Sequence, residues 1–239
     1  MSVSVTSVPI TYRDTRREFR FPAASKNSVT KTLRGESYPH IDFIADVSVI
    51  VDVGASVGSA ALFFSLAYPE AAVYCFEPHV ESFGLLVENT IGIEQIHPFN
   101  FGLYDSDRTA DLHIGTTTFT TNSIHRAVDK TERTENISLR DASAVMQEVG
   151  LKRIDVIKVD TEGCEVQILE NLLPHYRPRV IHLEYHNDND RRTLDQLLCD
   201  EFILYAGRVL RPHLGEATYV RRDSFPSPTL RDRSSRGLY

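Results

Sequence analysis

Residues 49–64 read VIVDVGASVGSAALFF. A short apolar run ends in an acidic residue and a glycine-punctuated turn, and the chain then turns apolar at helical spacing. That order is a strand, a tight loop and the start of a helix, the unit that holds nucleotide-bearing cofactors. The rest of the chain repeats the unit. Further strands are expected at 72–76, 96–101, 154–159, 180–185, 202–205 and 217–221, with helices near 58–67, 80–90, 141–149, 163–173 and 190–200. Such alternation predicts an α/β fold: a mostly parallel sheet with helices on both faces.

Three segments break the rhythm. Residues 1–45 form an N-terminal extension, with a strand or hairpin arm at 11–22 and a helix over 28–46 broken near Pro39. This extension is a candidate cover for the substrate. Residues 103–139 hold two strand-like pieces, ADLHI and NISL, around the hydroxyl-rich GTTTFTTNSI. They read as an inserted hairpin over the site, whose loop either hydrogen-bonds a polyhydroxylated acceptor or is a solvated tip. Residues 223–239, rich in Ser, Arg and Pro, read as a loose tail. The expectation is one domain over residues 1–222.

The turn's glycines constrain the ligand. A dinucleotide turn is spaced G-x-G-x-x-G so that the backbone can approach a pyrophosphate. Counted from Gly54, that pattern needs glycine at 56 and 59, where Ser56 and Ser59 stand. No Gly-Lys-Ser/Thr follows, so a phosphate loop is absent too. What stands is Asp52-x-Gly54-x-x-x-Gly58. A carboxylate before the turn disfavours a pyrophosphate and suits an ammonium or sulfonium group. S-adenosyl-L-methionine carries both and no phosphate. The next strand ends in YCFEPH, which places Glu77 where a carboxylate accepts hydrogen bonds from ribose hydroxyls. Pro78 would shape the loop beside the adenine. Singly, these features reduce to a tight turn, a helix cap and a solvated acid. In this order, at successive strand ends, they favour a cofactor site.

Charge and cysteine usage narrow the partners. With 33 acidic and 26 basic residues the net charge is -7, which argues against a nucleic-acid backbone as partner. Three cysteines without a CxxC pair fit a reduced, cytoplasmic protein. The N-terminal stretch lacks the basic start and apolar run of a secretory leader, and no apolar stretch is long enough to span a bilayer.

VDVGASVGSAALFF, YCFEPHVESFGLLVENT and IDVIKVDTEGCEVQILEN resemble the FkbM-type family of S-adenosylmethionine-dependent methyltransferases, over residues 45–187. The Lys-x-Asp-x-Glu-Gly-x-Glu pattern of the third segment is the most specific. The resemblance implies a Rossmann-like class I methyltransferase sheet of seven strands with the last antiparallel, and O-methylation of small-molecule or sugar hydroxyls, as in natural product biosynthesis. It also implies that Asp52, Gly54, Ala55, Ser56, Gly58, Glu77 and Pro78 line the cofactor, with Asn100 and Phe101 touching the adenosine or lying near it.

The chemistry is expected on two neighbouring strands. Parallel strands buried on both faces are normally apolar, yet Lys158 and Asp160 share one face of DVIKVD, and His182, Glu184 and His186 share one face of VIHLEYH. Buried charges are costly unless paired. A structural Lys158–Glu184 pair with His182 satisfied in the core is as good a reading as function for Lys158 and His182. Asp160, Glu162 and His186, later in their strands, point to function. Methyl transfer needs the acceptor oxygen in line with the departing sulfur and a base for its proton. His186 has the suitable intrinsic pKa. Asp160 is the second candidate, as base or as the group orienting His186. Lys158 would need a lowered pKa. Glu162 either complements the following helix or faces the transfer site, and Glu165 reads as a structural partner or a helix-face residue.

Three rivals stand beside this reading. A catechol-type enzyme would hold a divalent metal on His-x-Glu-x-His with Asp160 and Glu162. Strand alternation explains that spacing without an ion, so the metal is not favoured. A nicotinamide-dependent oxidoreductase shares the acidic ribose contact but lacks the glycines at 56 and 59. A non-catalytic cofactor-binding scaffold would have no use for the polar ladders.

Overall fold

The computed structural model describes residues 3–114, 123–124 and 133–226. The chain opens with an antiparallel hairpin, β1 (Val5–Tyr12) and β2 (Thr15–Pro22), and the short helix α1 (Lys26–Leu33). The repeating part follows: β3 (Val49–Val53), α2 (Ser59–Ala67), β4 (Ala72–Phe76), α3 (Val80–Thr90) and β5 (Ile96–Phe99). A satellite of β6 (Gly102–Tyr104), β7 (Arg108–His113) and β8 (Thr134–Asp141) interrupts it. Then come α4 (Ala142–Glu148), β9 (Val156–Val159), α5 (Glu165–Leu172), β10 (Val180–Tyr185), α6 (Asp188–Leu198), β11 (Phe202–Arg211) and β12 (Leu214–Arg221).

Seven of these strands form one sheet in the order β11-β12-β10-β9-β3-β4-β5. The pairs β10–β9, β9–β3, β3–β4 and β4–β5 are parallel, while β12 runs antiparallel to both its neighbours. The expected sheet, with its last strand reversed, is therefore present. One sheet face, carrying Val51, Ile157 and Leu183, packs on α4, α5 and α6. The opposite face, carrying Ile50, Val156 and Val180, packs on α2, α3 and the N-terminal segment. The strands of the parallel core are mostly apolar because helices cover both sides.

Expected and observed elements differ mainly at their ends. The helix expected over 28–46 stops at Leu33, because the chain takes a left-handed turn at Gly35 (φ 72°). Beyond it, Tyr38, Ile41 and Ile44 are buried without regular structure. The strand arm expected at 11–22 is a full hairpin. Its Phe19 and Phe21 are wholly buried, and Asn89 of α3 donates to the Arg20 and Val57 carbonyls while accepting from Arg20 N–H. The extension thus enlarges the core behind α2 and α3. β11 runs six residues past the expected 205, because pairing with β12 continues to Arg211 through register shifts. The tail expected at 223–239 is described only to residue 226, where Phe225 packs 5.1 Å from the Phe43 ring. No helix among the described residues is long and apolar enough to cross a membrane.

Candidate active site

A cavity opens beyond the C-terminal ends of β3, β4 and β9, where open α/β sheets bind ligands. Its floor is the β3–α2 turn, through Gly54 and Ser56, and the end of β4, through Glu77 and Pro78. Asp160, Thr161, Glu162 and Cys164 form one wall. Leu103, Leu112, Ile137 and Leu139 of the satellite sheet, with Ile124, form an apolar wall opposite. Described residues of the inserted region therefore line one side of the cavity. Residues 115–122 of its hydroxyl-rich loop lie outside the described residues, but Ser123 Oγ donates to the Glu162 carbonyl at 2.7 Å.

The turn's geometry demands its glycines. Gly54 has φ 77°, and a Cβ there would stand 1.9 Å from the Asp160 carbonyl oxygen. Gly58 caps α2 at φ 88°. Ala55 is buried, its N–H donating to the Phe76 carbonyl at 3.0 Å. Glu77 ties the two loops together. Its Oε2 accepts from Ser56 N–H at 2.8 Å and its Oε1 from His79 N–H at 2.9 Å. Burial raises its pKa to about 7, against those two N–H donors and the Lys158 charge. Asn100 and Phe101 stand one layer back. Asn100 Nδ2 donates to the Glu77 and Pro78 carbonyls, and the Phe101 ring lies 5.5 Å from Phe76.

Asp52 is placed differently from expectation. Its carboxylate is wholly buried behind the turn, with Oδ1 3.2 Å from Lys158 Nζ, and it is not on the cavity wall. The cause is strand register. Asp52, Lys158, His182 and Thr218 are cross-strand neighbours in one row, on the face covered by α2. Lys158 also donates to the Gly54 carbonyl at 2.6 Å and lies 3.7 Å from Asp160 Oδ2. Burial opposes its charge, but Asp52 and Asp160 outweigh burial and raise its pKa, so it is a fixed cation rather than a base. Burial raises the Asp52 pKa, with Lys158 offsetting part of the shift. The alternative Lys158–Glu184 pair does not form. His182 does take its structural reading. It is buried against Phe64 with Nδ1 2.9 Å from Thr218 Oγ1, and burial lowers its pKa to about 3.

Asp160, Glu162, Glu184 and His186 do come together. His186 Nε2 lies 3.5 Å from Glu162 Oε2 and 3.9 Å from Glu184 Oε1, while its Nδ1 lies 3.5 Å from Glu165 Oε1. Burial works against an imidazolium, but Glu165, Glu162 and Asp160 prevail and raise the His186 pKa to about 10. Burial, then Asp160, raises Glu184 to about 8. Glu165 is the organiser expected of a structural partner: Oε1 accepts from Thr161 N–H, Thr161 Oγ1 and Gly163 N–H. This clamp holds Glu162 at φ 59° and Gly163 at φ 113°. Left-handed backbone in a residue other than glycine is strained and concentrates at functional sites.

Tyr38 is the site residue that strand and motif patterns miss. It is buried and donates from its hydroxyl to Asp160 Oδ2 at 2.9 Å, with Lys158 Nζ 5.6 Å from its ring centroid. Replacing Tyr38 by phenylalanine removes only that donor. The expected result is a loss of about 1.5–3 kcal/mol in urea unfolding, the usual worth of a hydrogen bond to a charged group. An unchanged midpoint would show that Asp160 does not depend on it.

The strand order, the reversed last strand and a cavity over the β3–α2 turn define the Rossmann-like, class I methyltransferase architecture. The fold matches that of Methanococcus jannaschii fibrillarin (TM-score 0.53, 14% identity, 90% of this chain and 82% of that one). It also matches Aeropyrum pernix fibrillarin, solved with natively bound S-adenosyl-L-methionine (TM-score 0.52, 12% identity, 92% and 84%). The chain belongs to the FkbM methyltransferase family, whose domain matches residues 52–215. Similar proteins include the hexuronic acid methyltransferase AglP of Haloferax volcanii (25% identity, 64% of this chain and 62% of that protein). Methyltransferase 1 of Beauveria bassiana is 27% identical over 53% of this chain and 59% of its own length. The antimetabolite synthetase AmbE of Pseudomonas aeruginosa matches at 27% identity over 61% of this chain but only 9% of its own length. The chain thus spans about three fifths of the first two relatives and a small part of the third.

Proposed function

We propose that the protein is an S-adenosyl-L-methionine-dependent O-methyltransferase acting on a hydroxyl of a small-molecule or sugar acceptor. One observation carries this reading: the glycine turn, the buried Glu77 and the acidic residues Asp160 and Glu162 line a single cavity. Family membership and the hexuronic acid methyltransferase among its relatives support it.

The residues present fit the cofactor. Glu77 would accept from ribose hydroxyls, the apolar wall of Ile124, Ile137 and Leu139 would cover the base, and the Gly54–Ser56 turn would hold the amino-acid end. The cofactor supplies an electrophilic methyl on a positive sulfur. What the chain must add is orientation, exclusion of water and a proton acceptor. Glu162 is the proton acceptor in this reading. Glu162 is a lining residue of the cavity whereas His186 is not, and the Glu165 clamp and the Ser123 contact hold its strained backbone in place. This reading prefers Glu162 to His186 as the base.

Calorimetric titration with S-adenosylhomocysteine, with NAD as comparison, tests this. Binding of the first alone is expected, and NAD binding alone would overturn the reading. Glu77→Ala should weaken S-adenosylhomocysteine by about tenfold or more, as expected for lost charge-assisted hydrogen bonds. Affinity should also fall about tenfold between pH 8 and pH 6, because the ionised acceptor is lost as pH drops through a pKa of about 7. A flat pH profile would remove Glu77 from the ribose role.

A further inference from the structure

Asp160, Glu184 and His186 each present one donor atom, and these three atoms lie within 4.8 Å of one another. They come from separate backbone positions: Asp160 just past β9, Glu184 inside β10 and His186 just past it. An octahedral divalent ion with bonds of about 2.1 Å spaces its ligand atoms roughly 3 to 4.2 Å apart, so rotamer adjustments alone would close the set. One imidazole with two carboxylates suits a first-row ion such as Mn²⁺.

Two further observations fit a metal ion taking the place of the His186 proton. Both His186 ring nitrogens are shielded from solvent and have no hydrogen-bond partner, their carboxylate neighbours standing at 3.5 Å or more. Glu165, wholly buried behind the ring, also leaves Oε2 without a partner. Buried polar atoms are normally satisfied. Tyr38 holds only Oδ2 of Asp160. His182, part of the His-x-Glu-x-His expected as a ligand run, is not in this group; it is wholly buried, against Phe64 and Thr218.

We propose that Asp160, Glu184 and His186 form a divalent-cation site beside the cavity, with Asp160 the one of the three on its lining. Resting on the methyl-transfer reading, the ion would grip two neighbouring acceptor oxygens, as in a vicinal diol or a hydroxy acid, and leave Glu162 to take the proton. Ion binding itself does not depend on that reading.

The test is titration of the full chain with Mn²⁺, followed by electron paramagnetic resonance in chelator-treated buffer, with S-adenosylhomocysteine affinity measured separately on the same protein. One Mn²⁺ per chain is expected, weakened about tenfold or more by the isosteric Glu184→Gln and Asp160→Asn. No saturable binding by wild type up to about 1 mM Mn²⁺ overturns the proposal. So does binding that both variants leave unchanged. Intact S-adenosylhomocysteine binding with no Mn²⁺ site rejects the ion alone and leaves the methyltransferase reading standing.

Discussion

Replacing Lys158 by methionine is expected to destabilise the fold by about 3–5 kcal/mol, the cost of leaving a buried charge without its partner. Lys158 is 3% exposed, and its ammonium faces Asp52, Asp160 and the Gly54 carbonyl together. Methionine keeps the volume but strips the cation from a fully buried Asp52. Burial already raises the Asp52 pKa, so that carboxyl can escape part of the penalty by taking up a proton. The loss should therefore grow as pH rises. Urea unfolding of Lys158→Met and of the double variant with Asp52→Asn gives the coupling directly. The double variant is expected to recover much of the loss, since it removes both charges. A single-variant loss below about 1 kcal/mol would mean that the pair is not what holds the turn against β9.

Changing Glu162 to glutamine should slow methyl transfer by about 10²–10⁴-fold, the usual worth of a positioned general base. S-adenosylhomocysteine affinity should stay within about twofold, because the substitution keeps size, hydrogen-bonding shape and backbone. The assay follows release of S-adenosylhomocysteine with a hydroxylated acceptor that wild type methylates. Undiminished turnover would return the base role to Asp160 or His186. A parallel fall in cofactor affinity would instead show that the loop clamped by Glu165 had moved.

The sheet was readable because period-two apolar runs separated by helical runs leave few alternatives. β3, β4 and β10 have the bounds expected from their apolar runs. The N-terminal helix was overextended although Gly35 is a local stop signal, a glycine in the left-handed position that commonly ends a helix. The polar ladders were visible too, but alternation told only that their members share a strand face. It did not tell that Asp52 and Lys158 close on each other in a buried row while Glu184 and His186 extend past it to Asp160.

By itself, the sequence determined the repeating strand–turn–helix order, the glycines that the β3–α2 turn requires and the acidic tip of β4, because each depends on short-range backbone geometry and pattern. Only the tertiary structure decided which carboxylates meet. Strand register across β3, β9 and β10 buried Asp52 with Lys158, and the Glu165 clamp fixed the turn that carries Glu162 on the cavity lining. It also brought Tyr38, from outside the family's matched residues, onto Asp160. These are contacts between residues far apart in the chain, and side-chain spacing along one strand carries no record of them.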